Sequence, residues 1–109
     1  MYLSIRPSEL KRAVEASDLP VLVYFYTSWC TSCKKMAPEF EALASELEGL
    51  YKFIKISTED NEEDESIVQH NVSLVPMIIF FKDNVEVSRV IGYRNREEIK
   101  DVMARVFHL

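Results

Sequence analysis

The chain has 109 residues, 48% of them apolar, with 13 Lys and Arg against 18 Asp and Glu. That length suits one domain over residues 1–109, with enough apolar material to bury a core. The net charge of −5 excludes the basic balance of a nucleic-acid binder, and no apolar run approaches the roughly 20 residues that span a bilayer. Two cysteines, Cys30 and Cys33, make no disulfide scaffold. A bridge between them would close a tiny loop, and stabilisation grows with loop length. Redox chemistry or metal binding is left as the reason for the pair. The N-terminus lacks the basic start and long apolar stretch of a secretory signal. The expected compartment is therefore the reducing cytoplasm, where paired cysteines tend to be catalytic or metal-binding.

In chain order, Tyr2–Ile5 is a short first strand. Pro7 and Ser8 open a helix, with Ser8 as N-cap. Leu10, Ala13, Val14 and Ser17 repeat at one-face helical spacing. Val21–Tyr26 is continuous, β-branched and aromatic, so it predicts a strand buried on both faces. A helix follows from about Cys30 to Leu47. Phe40, Leu43, Ala44 and Leu47 form its apolar stripe, Pro38 kinks it and Gly49 stops it. Lys52–Ser57 is strand-like. A helix over about Glu62–His70 ends on Asn71 as a left-handed cap. Met77–Phe81 is a second buried strand, Lys82–Asn84 a turn, and Val85–Ile91 its edge partner. Ile99, Val102, Met103 and Val106 give a closing helix its apolar face. Strands and helices alternate and then end in a hairpin and a helix. This predicts an α/β fold with a mainly parallel centre and an antiparallel edge.

The chemistry lies in Trp29-Cys30-Thr31-Ser32-Cys33-Lys34-Lys35, between a buried strand and a helix. Cys30 falls at the helix start, where unpaired N–H groups and the macrodipole favour an anion. Cys33 falls one turn deeper and is shielded. Cys30 is thus the attacking sulfur, and Cys33 resolves the mixed disulfide. The rival readings are two small core residues or half of a zinc site, for which the other good candidate ligands, His70 and His108, are single histidines far along the chain.

The string Val21–Tyr26, then Trp29-Cys30-x-x-Cys33-Lys34, Pro38, Val75-Pro76 and Gly92, resembles the thioredoxin superfamily over nearly the whole length. The stretches Phe25-Tyr26, Cys33-Lys34-Lys35 and Ala37–Glu41 are also similar to protein disulfide isomerase domains. The resemblance implies a thioredoxin fold, a central mixed β-sheet flanked by four helices. It implies a thiol–disulfide oxidoreductase that binds no cofactor or metal and works through a Cys30–Cys33 disulfide. Its partners would be protein disulfides and, as electron donor, a thioredoxin reductase. The resemblance also implies a cis bond at Pro76 and backbone pairing of Val75 with substrate. Trp29, Val75 and Gly92 would line the docking surface with Pro76, and we add Tyr93 to them. The working expectation is a cytoplasmic monomer.

The chain departs from the family at three places. Tyr24 stands where a buried Asp or Glu usually takes the proton of the second cysteine, and tyrosine, with a reference pKa of about 10, is a poor base. Lys55 matches the lysine that partners this acid, so it is expected to lack a mate. Thr31 and Ser32 replace Gly-Pro or Gly-His, and their hydroxyls are expected to donate to the Cys30 thiolate and raise the potential. Lys34 and Lys35 either support the same thiolate or simply face water. Two other readings stand beside the reductase: an oxidase or isomerase of an oxidising compartment, and an adaptor or zinc module without turnover. The acidic run Glu59–Glu65 is expected to be a solvated loop leading into a helix.

Overall fold

The computed structural model describes residues 1–107. The elements are β1 (Leu3–Ser4), a 3-10 turn (Pro7–Glu9), α1 (Leu10–Glu15), β2 (Val21–Tyr26), α2 (Thr31–Glu46), β3 (Lys52–Ser57), α3 (Glu65–Gln69), β4 (Met77–Lys82), β5 (Val85–Ile91) and α4 (Arg96–Phe107). The sheet order is β1-β3-β2-β4-β5. β3 pairs parallel with β1 and β2, while β4 pairs antiparallel with β2 and β5. The sheet is therefore mixed from the centre outward, since the antiparallel half begins at β2 and not only at the edge.

β2 sits in the middle because both its faces are apolar. Leu22 and Tyr24 pack with Met36, Phe40, Leu43, Ile99 and Met103, so α2 and α4 cover one face. Val21, Val23 and Phe25 pack with Leu10, Val14 and Ile67, so α1 and α3 cover the other. This two-residue alternation is what a doubly covered strand requires.

Several boundaries differ from the sequence reading, each for a local reason. The first helix opens as a 3-10 turn preceded by Arg6, whose N–H donates to the Glu9 carboxylate at 3.0 Å. Ser8 lies inside this turn and is not the cap. Ser17 lies beyond α1, its hydroxyl bonded to the Leu19 carbonyl in the following turn. α2 runs through Pro38 as one helix and ends at Glu46, ahead of Gly49. α3 is shorter than expected because Asp64 caps it, accepting from the Ser66 N–H at 2.9 Å. At its other end Asn71 has φ 54°, and Val72 and Asn71 donate to the carbonyls of Ile67 and Val68. That is a Schellman closure. Asp83 and Asn84 both have positive φ, the backbone of a tight hairpin turn matched to sheet twist. Asn95 and Glu98 cap α4 reciprocally.

Candidate active site

β2 leaves the sheet centre at Tyr26, crosses a short loop and enters α2 at Cys30. Cys30 has extended backbone (φ −84°, ψ 114°) and is the N-cap. Its sulfur accepts the Cys33 N–H at 3.2 Å, as a cap acceptor does. The anionic form of that sulfur thus has a backbone donor aimed at it from the positive end of a helix of 16 residues. Cys30 is partly exposed and Cys33 is 2% exposed. Both are free thiols, one turn apart on α2. Burial pushes the Cys33 thiol up to about 11, and its hydrogen bond with Cys30 adds to the rise.

The segment before β4 closes over the pair. The Val75–Pro76 peptide is cis, and the Val75 carbonyl lies 3.9 Å from the Cys30 sulfur. Gly92, at the end of β5, donates its N–H to the Pro76 carbonyl at 2.8 Å. Gly92 has φ 91°, a backbone that glycine adopts without penalty. Trp29 is 69% exposed immediately before Cys30. Tyr93 is exposed beside Gly92, with the Lys35 ammonium 5.3 Å from its ring centre. The structure therefore brings Cys30, Cys33, Val75, Pro76 and Gly92 to one end of the sheet.

Two expectations for the site change. Thr31 and Ser32 are exposed, and among the described residues neither hydroxyl bonds to the Cys30 sulfur. The donor is the Cys33 backbone N–H, because a helix N-terminus points its amides at the cap. The hydrogen-bond argument for a raised potential therefore loses its donors. Lys34 is exposed, which agrees with its reading as a water-facing side chain, and the contact it makes to Cys30 is its backbone N–H on the Cys30 carbonyl at 3.1 Å. Lys55, expected to lack a mate, has one: its ammonium lies 2.9 Å from the Glu41 carboxylate. It also lies over the rings of Tyr2 and Tyr26 at 4.9 Å and Tyr24 at 5.9 Å. Tyr24 leaves no acid on β2, so the lysine turns to a carboxylate on α2.

One contact was not visible in the sequence. The Glu59 carboxylate accepts from the Ser28 N–H at 2.8 Å and the Ser28 hydroxyl at 2.6 Å. It ties the loop after β3 to the loop that carries Trp29. These bonds hold the Glu59 carboxyl below its ordinary range. Inside a run of acids nothing marks Glu59 as different, except its position just past the end of β3, beside the end of β2. Among the described residues no group of three or more His, Cys, Asp or Glu gathers as a metal site; His108 lies outside them. Also among them, no helix is long and apolar enough to cross a membrane.

An open α/β sheet that presents a Cys-x-x-Cys pair at a helix start, with one sulfur accessible and one buried, defines a dithiol oxidoreductase. The thioredoxin family model matches residues 2–105. Thioredoxin of Rickettsia conorii is 31% identical over 101 residues, covering 93% of this chain and 94% of its own. Thioredoxin 1 of a Nostoc species is 34% identical over 88 residues, 81% of this chain and 80% of its own. Thioredoxin of Staphylococcus aureus is 33% identical over 82 residues, 75% of this chain and 77% of its own. The chain belongs to the thioredoxin family, and its activity is that of a thiol–disulfide oxidoreductase.

Proposed function

We propose that the chain, acting as one domain over residues 1–109, reduces protein disulfides in the cytoplasm and is recycled by a thioredoxin reductase. The Cys30 thiolate attacks a substrate disulfide and forms a mixed disulfide, releasing one substrate thiol. Cys33 then attacks the Cys30 sulfur. The Cys30–substrate bond breaks, a Cys30–Cys33 bond forms, and the second substrate sulfur leaves and takes up a proton. The substrate gains two electrons and the dithiol loses them. The reductase returns them from a nicotinamide donor.

The observation that carries the order of attack is the unequal exposure of the two sulfurs on one helical turn. The shallow surface of Trp29, Val75, Pro76, Gly92 and Tyr93 is the docking place in this reading. An extended substrate backbone would pair with Val75 there. A coupled assay with reductase, NADPH and a protein disulfide tests it. The intact chain is expected to turn over and Cys30→Ser to be inactive. Cys33→Ser is expected to trap substrate on Cys30. An inactive intact chain, or trapping on Cys33 in place of Cys30, would overturn the reading.

A further inference from the structure

Tyr24 is a fully buried ionisable group that the exchange steps above leave without a role. Its hydroxyl donates to the Cys33 carbonyl at 2.9 Å. Two rings fix its direction: Tyr26 stacks on it at 5.5 Å and Phe40 tilts against it at 5.2 Å. Its strand is paired on both sides, with Lys55 opposite on β3 and Ile78 on β4. The phenol therefore ends at the residue whose sulfur must ionise for release. A helical carbonyl already serves the N–H four residues on, so the helix can spare the bond from Tyr24.

Burial is the largest influence on the Cys33 thiol and raises it, and two donors act against it. The Tyr24 hydroxyl and the Thr27 backbone N–H both lie where they favour its thiolate. The titratable groups that bear on it are Cys30 at the start of α2 and Tyr24 on β2. Lys55 on β3 reaches the Tyr24 ring and is held by Glu41 on α2. Tyr26 stacks on Tyr24 from the same strand. Burial raises the Tyr24 phenol far above its ordinary range, so it keeps its proton and acts as a donor and not as a base.

We infer that Tyr24 replaces the missing buried base with a hydrogen bond: as Cys33 ionises, the Tyr24 hydroxyl turns from the Cys33 carbonyl to the Cys33 sulfur and, with the Thr27 N–H, holds the resolving thiolate. This rests on Cys33 being the resolving sulfur. The proton that Cys33 gives up goes to solvent, and the departing substrate sulfur takes one back. The Tyr24 proton stays on its oxygen throughout.

The test titrates Cys33 as the single thiol in a Cys30→Ser background, by the NMR shift of its Cβ. Adding Tyr24→Phe removes the hydroxyl and keeps the ring. The midpoint is expected to rise, leaving roughly tenfold less thiolate at a given pH. A midpoint that stays or falls in a variant with a cooperative thermal melt would overturn the inference. If Tyr24→Phe does not fold, the Tyr24 Cζ shift in Cys30→Ser alone decides. It is expected to move at the Cys33 midpoint, and a flat Cζ would overturn the inference. Neither titration needs turnover, so a failed reductase assay and a failed donor role are told apart.

Discussion

The Tyr24 hydroxyl lies 2.9 Å from the carbonyl oxygen of Cys33, on the strand position where the resemblance places an acid. The resolving thiol is thus buried beside a donor, with burial pushing it up to about 11. Release of substrate follows the thiolate fraction of Cys33. The single-turnover release rate is expected to rise about tenfold per pH unit between pH about 7 and 9. Stopped-flow decay of a preformed Cys30 mixed disulfide measures it. A flat profile would show that ionisation of Cys33 does not limit release.

The same thiol links stability to pH. Folded Cys33 keeps its proton to about 11, against 9.0 for an unperturbed thiol. The unfolded chain therefore binds fewer protons between those values, and stability falls as pH rises through them. The contribution is fully present below pH 9 and amounts to at most about 3 kcal/mol. Denaturant titrations of the reduced protein at pH 8 and 10.5 are expected to show a larger loss than those of Cys33→Ser.

Restoring the acid gives a third expectation. Tyr24→Asp places a carboxylate beneath Cys33 that can accept its proton. Release at pH 7 is expected to accelerate. The buried aromatic packing against Tyr26 and Phe40 is lost and a polar group is buried, so stability should fall by about 3 kcal/mol. Release that is no faster would show that a base at this position is not what limits it.

Glu59 is expected to matter more for substrate than for fold. Glu59→Ala frees the Ser28 loop, and with it the exposed Trp29. KM for a protein disulfide is expected to rise several-fold while kcat changes little. The Glu59 carboxyl is held below its ordinary value of 4.5, so its anchoring is complete above that pH and lost as pH falls below it. Trp29, the single tryptophan, reports this by fluorescence. An emission spectrum that does not change on acidification would speak against the tie.

Much of the frame was legible because it follows from short-range chemistry. The apolar run of β2 has to be a doubly covered strand, and Asn71 suits a left-handed cap by its side chain. The cysteine spacing set both sulfurs on one helical turn. The mate of Lys55 was not legible, because Glu41 comes from another element and is 14 residues away. Only the packing of α2 against the sheet brings it there. Glu59 was hidden among like charges. Thr31 and Ser32 misled because a hydroxyl next to a thiolate in sequence points outward once the helix has begun.

The central place of β2 has a further consequence for how the molecule breathes. Residues 21–25 are buried and hydrogen-bonded on both sides, and α2 departs directly beyond them. Amide exchange should be slowest along this strand and faster at β1, which is two residues long and exposed. The reactive pair therefore follows, across one short loop, the part of the chain that opens last. The anchoring strand can stay closed while the two sulfurs exchange bonds beyond its end.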